Sequence, residues 1–209
     1  MYYMGNTEGS RVIPQTYKAR KNLSLHMLKQ QLSVVLGSVL GDAYIYPQGK
    51  ICFEQGIVQR KYLMWKYKIL APVAYKKVSR VSRLDRRSNT ETVSYRFFLR
   101  QYFRPLRKLF YRNNRKVIPE ALVDRFDPLV LAVWYMDDGY LDKNNSPLFM
   151  TDCYVGEDVY RLVQILKRSV DIQSYVTGNG RLRIERESAN KFFRLVEPWV
   201  HPSLRYKLP

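Results

Sequence analysis

The stretch LAVWYMDDGYLDK, Leu131 to Lys143, sets an uncharged, apolar run directly against two adjacent aspartates, Asp137 and Asp138, followed by Gly139. Such a run predicts a buried helix that ends at a carboxylate, with the glycine letting the chain turn away. Its start is marked by Asp127-Pro128, a side-chain cap followed by proline at the first helical position. A second run of this kind lies upstream: LSVVLGSVLGDAYIY, Leu32 to Tyr46, in which Asp42 follows the apolar segment. Ser24 is the candidate cap for that earlier helix. Asp138 lies 96 residues after Asp42, and the same offset pairs Tyr44 with Tyr140 and Ile45 with Leu141.

The parallel extends well beyond the two acids. After Asp42, YIYPQGKICFE predicts a hairpin turning at Pro47-Gln48-Gly49, and after Asp138, YLDKNNSPLFMTD predicts one turning at Asn144-Asn145. Helical periodicity follows in VQRKYLMWKYKIL and in EDVYRLVQILKRSV. Each half then offers another strand pair: AYKKVSRVSR with ETVSYRFFLR, and IQSYVTG with RLRIER around Gly178-Asn179-Gly180. A last helix is expected from RPLRKLFYRNN in one half and SANKFFRLVEPWV in the other, and the halves close on Lys116-Val117-Ile118-Pro119 and Lys207-Leu208-Pro209. Helix, hairpin, helix, hairpin, helix occurs twice, so the chain is an internal repeat.

Composition narrows the function. Hydrophobic residues make up 46% of the 209, which excludes a disordered chain. The excess of 36 Lys and Arg over 18 Asp and Glu, a net +18, points to a polyanionic partner, with nucleic acid ahead of an anionic membrane. No apolar run is long enough to span a bilayer. Cys52 and Cys153 are too few for a disulfide framework and suit a reducing compartment, leaving organelle and bacterial cytoplasm both open. His26 and His201 alone cannot build a zinc finger or a His-dependent nuclease site.

Pairing the two motif helices would bring Asp42 and Asp138 together at one end. Like charges at helix C-termini repel each other and oppose the helix dipole, so a cation between them is expected. Gly37 and Gly41, four apart on one helix face, would let a partner backbone approach closely.

The motifs VLGSVLGDA (Val35 to Ala43) and LAVWYMDDG (Leu131 to Gly139) resemble those of the LAGLIDADG homing endonucleases, in the single-chain, two-motif branch of the yeast mitochondrial omega-intron type. The resemblance covers about Ser24 to Pro209, including NNRKVIP and the terminal YKLP. It implies an α+β fold of two pseudo-symmetric αββαββα halves, packed through the motif helices, with antiparallel sheets forming a saddle over duplex DNA. The expected division is a basic N-terminal arm, 1–23, a first half, 24–119, and a second half, 120–209. Val133 and Asp137 stand where the first motif has Gly37 and Gly41, so the helix contact is expected to be asymmetric.

By that resemblance the chain is a monomeric, site-specific endonuclease of double-stranded DNA, intron-encoded and acting on a long asymmetric target. Asp42 and Asp138 become the catalytic metal ligands, with the carbonyls of Gly41 and Asp137 as further ligands. The Asp137 side chain itself reads as an exposed cap or as a support behind the metal ligands. Hard oxygen donors suit Mg²⁺, with Mn²⁺ as a substitute. Lys116 and Lys207 match family positions whose basic side chains lie near the metals.

Strand alternation supplies the DNA contacts: Arg181 and Arg183 in RLRIER, and Arg96 and Arg100 in TVSYRFFLR. Lys76, Lys77, Arg80, Arg83, Arg86 and Arg87 add a basic stretch for backbone or base contact. A maturase that binds intron RNA, or a domesticated RNA-binding protein, on the same fold remains the alternative.

Overall fold

The computed structural model describes residues 27–209 other than Ser88. The N-terminal arm and Ser24 lie outside the described residues. The element order is that of the repeat. The first half runs α1 (Lys29–Leu40), β1 (Tyr44–Ile45), β2 (Ile51–Gly56), α2 (Arg60–Leu70), β3 (Ser79–Asp85), β4 (Thr90–Phe98) and α3 (Arg104–Phe110). After a short hairpin of β5 (Tyr111–Arg112) and β6 (Arg115–Lys116), the second half repeats it. It runs α4 (Pro128–Asp138), β7 (Gly139–Leu141), β8 (Pro147–Phe149), α5 (Gly156–Val170), β9 (Ser174–Val176), β10 (Leu182–Ile184) and α6 (Arg186–Val196). Both four-stranded sheets are antiparallel and share one order, β1-β2-β4-β3 and β7-β8-β10-β9.

Local chemistry explains most boundaries. Asp127 caps α4 as expected, its Oδ1 accepting from the Val130 N–H at 2.9 Å, with Pro128 next in the chain. Every residue from Leu129 to Met136 is buried, which marks a helix enclosed on all sides rather than an amphipathic one. The hairpin turns close where small or amide residues tolerate positive φ: Gly49 at 85°, Asn145 at 56° and Gly180 at 78°. In the second, the Asp142 carboxylate also accepts from the Asn144 and Ser146 N–H groups, both at 2.8 Å.

Two expectations need correcting. The helix read through RPLRKLFYRNN stops at Phe110, because Asn113 and Asn114 both take positive φ and make the two-residue turn of β5–β6. Gly139, in turn, sits at φ −85°, a conformation open to any residue. It is glycine for space: an added Cβ would stand 2.0 Å from Tyr135 Cδ2 and 2.5 Å from the Tyr135 carbonyl oxygen.

Packing divides the chain differently from the repeat. One compact unit joins Tyr44–Arg107 to residues 27–32; the other joins Ser33–Ala43 to Lys108–Pro209. The core of the first stacks Phe53 on Phe97 at 4.7 Å, with Tyr67 edge-on to Phe97. That of the second stacks Trp134 on Phe149 at 4.0 Å and sets Tyr135 edge-on to Phe192. Most of the first motif segment therefore belongs to the same unit as the second motif, and both acids with it.

Candidate active site and nucleic-acid faces

Within that second unit the two motif helices meet through their equivalent residues. An ideal Cβ on Gly37 would lie 2.6 Å from the Val130 carbonyl oxygen and 2.7 Å from Val133 Cβ. One on Gly41 would lie 2.4 Å from Asp137 Cβ. Gly37 faces Val133 and Gly41 faces Asp137, the pairs related by the 96-residue offset. The asymmetry is thus complementary: the glycines of one helix make room for the side chains of the other. Two hydrogen bonds tether the first motif helix, from Ser33 Oγ to the Oδ2 of Asp127, the cap of α4, and from the hydroxyl of Tyr154, just before α5, to the Leu40 carbonyl, each 2.7 Å.

This packing carries Asp42 and Asp138 to the C-terminal ends of the two helices. Asp42 is exposed and Asp138 half-buried. Burial, then the charges of Asp42 and Asp137, push the Asp138 carboxyl up to about 7, against the opposing pull of Lys116 and Lys207. The Asp137 carboxylate leans onto the other helix and accepts from the Asp42 N–H at 3.5 Å. As a side chain it caps the first motif helix from across the interface.

The two lysines arrive from different elements and do one job. β6 delivers Lys116, whose ammonium donates to the Gly41 carbonyl at 2.5 Å. A 3₁₀ turn, Pro202–Lys207, delivers Lys207, which donates to the Met136 carbonyl at 2.7 Å, Asp137 at 3.4 Å and Tyr135 at 3.5 Å. The Tyr135 hydroxyl returns a bond to the Lys207 carbonyl at 2.7 Å. Each ammonium satisfies C-terminal carbonyls and sits at the negative end of a helix. Burial lowers the Lys116 pKa, with Cys153 and the three aspartates pulling it back.

Sequence reasoning missed Tyr154, Cys153 and the clasp between Tyr135 and Lys207. The repeat gives no signal for the first, since Val58 stands 96 residues before Tyr154.

Among the described residues no cluster of three or more His, Cys, Asp or Glu side chains is arranged to hold a metal ion. The donors at the helix ends are two carboxylates and backbone carbonyls, all oxygens, a set that fits a hard divalent cation retaining several waters. The carbonyls of Gly41 and Asp137 already accept from lysines, and each keeps a second lone pair.

The cations expected at DNA divide between the two faces of the first sheet. Register puts Glu54, Ser94, Arg96 and Arg83 on one face, and Arg80 with Tyr95 and Phe97 on the other, which α2 covers. Lys77 also lies on the helix side, and Lys76, Arg86 and Arg87 are exposed. On the open face Glu54 accepts from Arg83 and from Ser94 Oγ, with Arg96 at 4.0 Å. The bond from Arg83 holds the Glu54 carboxyl below its ordinary value. Arg100 turns inward to the Ala74 carbonyl. In the second sheet Arg183 pairs with Asp142 at 2.5 Å and Arg181 donates to the Tyr140 hydroxyl at 3.2 Å.

Two αββαββα halves, with an acid at the end of each opening helix and a lysine on each helix terminus, define a duplicated, carboxylate-bearing fold built around paired helices. The chain belongs to the LAGLIDADG DNA endonuclease family, whose sequence profile matches residues 32–192. It is 28% identical over 200 residues to the cytochrome b mRNA maturase bI2 of Saccharomyces cerevisiae, covering 85% of this chain and 47% of that protein. The chain thus spans about half that relative's length. It is 24% identical to the DNA endonuclease I-ChuI of Chlamydomonas applanata, covering 88% of this chain and 96% of that protein. The solved structure of the homing endonuclease I-WcaI bound to its DNA recognition sequence shares the fold, with a TM-score of 0.79, 95% of each chain covered and 22% identity. No helix among the described residues is long and apolar enough to cross a membrane.

Proposed function

We propose that this chain is a site-specific, divalent-metal-dependent endonuclease that hydrolyses both strands of a long, asymmetric duplex DNA target. The observation that carries the reading is the convergence of Asp42 and Asp138 at the ends of two helices held together in one compact unit. Asp42 and Asp138 would hold the metal ions, joined by the carbonyls of Gly41 and Asp137. Bound there, Mg²⁺ or Mn²⁺ supplies an activated water and relieves charge on the phosphorane-like transition state. Lys116 and Lys207 keep the helix ends in place and put positive charge beside the reacting phosphate. Both acids come from one chain, so a monomer suffices.

Arg83, Arg96, Arg181 and Arg183 serve duplex contact on the open sheet faces, with Lys76, Arg86 and Arg87 at the rim and Arg100 supporting the sheet. Selection of cleaved sites from a randomised duplex library with Mg²⁺ should return one long asymmetric site, and Asp42→Asn or Asp138→Asn should bind that site without cutting it. Ca²⁺ should support binding with little cutting, because its looser coordination orients water poorly. Near wild-type double-strand cutting by either variant would refute the two-carboxylate mechanism.

The yeast relative's description as an mRNA maturase favours a second reading, binding of intron RNA. Preference for a structured intron RNA over every duplex in direct competition would make that the better account.

A further inference from the structure

The face of the first sheet that looks away from Glu54 and Arg96 carries a cleft that duplex recognition does not use. It has a volume of about 280 Å³ and is lined by Arg60, Met64 and Tyr67 of α2 and by Lys77, Val78 and Tyr95 at the sheet. All six belong to one compact unit. The Arg60 guanidinium lies over the Tyr95 ring at 4.6 Å. Arg80, directly opposite Tyr95 in the β3–β4 register, stands on the same face.

The charge pattern differs from that of the open face. There Arg83 and Arg96 share a carboxylate partner, Glu54. Here Arg60 and Lys77 have none among the described residues, no carboxylate lines the cleft, and Arg80 reaches Glu91 only at 3.9 Å with both side chains exposed. Cations gathered without an acid between them favour an anion.

Size and shape select the anion. The volume lies at the small end of ligand clefts and suits one nucleotide. A duplex lying on the opposite face of the same sheet cannot reach it. The phenol rings of Tyr67 and Tyr95, with the Arg60 guanidinium already over the second, form a surface on which an unpaired base can stack. We propose that this cleft binds an unpaired nucleotide of a single-stranded nucleic acid, its phosphate at Arg60 and Lys77 and its base against Arg60 and the tyrosines. The site is separate from the cleavage centre and does not depend on that activity.

The test compares fluorescence anisotropy of the full chain with a short labelled single-stranded RNA, single-stranded DNA of the same sequence, and the corresponding duplex. Arg60→Glu and Lys77→Glu should each weaken single-strand binding by about tenfold or more, the scale of one lost stack or phosphate contact. Arg60→Glu should leave duplex affinity unchanged. Lys167→Glu, the same charge change at an exposed site on α5, should leave single-strand binding unchanged. Tighter binding of RNA would name RNA as the source of the nucleotide, and equal binding would name any unpaired strand; both support the site. A 4-thiouridine RNA should crosslink to the peptides carrying Tyr67 or Tyr95. Equal weakening by Lys167→Glu, parallel loss of duplex binding in Arg60→Glu, or crosslinks mapping elsewhere would each overturn the proposal.

Discussion

Replacing Asp138 by Asn should make the protein inactive and more stable, and the gain should depend on pH in a defined way. In the folded chain the Asp138 carboxyl is raised from 3.8 to about 7, first by burial and then by Asp42 and Asp137, with Lys116 and Lys207 opposing. Between those two values the folded state holds a proton that the unfolded state has lost. Stability therefore falls as pH rises through that window and stays lowered above pH 7. The gap is about three pH units, and at about 1.36 kcal/mol each the ionised carboxylate costs on the order of 4 kcal/mol. Asn keeps the volume and carries no charge. In chelator at pH 8.5 the variant should melt roughly 8–16 °C above wild type, taking about 2–4 °C per kcal/mol for a chain of this size. The difference should shrink toward zero near pH 4. Thermal denaturation in chelator from pH 4 to 9 reads it directly. Equal or lower stability of the variant at pH 8.5, or a gain that does not change with pH, would refute the argument that the site stores unfavourable charge.

Lys207→Met should strip three C-terminal carbonyls of α4 of their donor and cost about 1–3 kcal/mol in denaturant unfolding, more than Lys116→Met, which removes one bond. Both should slow single-turnover cleavage at saturating enzyme by about 10²-fold while duplex affinity changes little; normal saturated cleavage would leave them as caps alone. Gly37→Ala drives a Cβ to 2.6 Å from a backbone carbonyl and should destabilise by about 2–3 kcal/mol, measured by urea unfolding. Asp142→Asn releases Arg183 on the open sheet face, so duplex binding should tighten and its log–log salt slope steepen by about 0.9, one further phosphate contact.

The repeat was legible because both helices advertise themselves: Asp127-Pro128 fixes where α4 starts, and an unbroken apolar run fixes that it is buried. Hairpin positions followed from glycine and asparagine, the residues that tolerate positive φ. The turn at Asn113-Asn114 was readable by the same rule, yet the helical pattern before it hid it. The capping role of Lys116 and Lys207 was not legible, because it depends on where two separate segments return to a helix end. Strand alternation puts Arg80 and Arg83, three apart on β3, on opposite sides, but only cross-strand register showed which of them shares a face with Glu54. The carboxylate partners of the open-face arginines come from other strands, Glu54 on β2 and Asp142 after β7, and no local pattern names them.

The pairing of Ser33–Ala43 with a segment almost a hundred residues further on also sets an order of events during synthesis. Contacts of such sequence separation close late, after the intervening chain has been made. Until α4 has left the ribosome, Asp42 has no second acid beside it and the buried face around Gly37 has no Val133 to meet. Until Lys207 follows, the end of α4 lacks its ammonium. On the proposed function, a chain still lacking α4 would hold only one of the two acids, and cutting would wait until both α4 and Lys207 had joined the first motif helix.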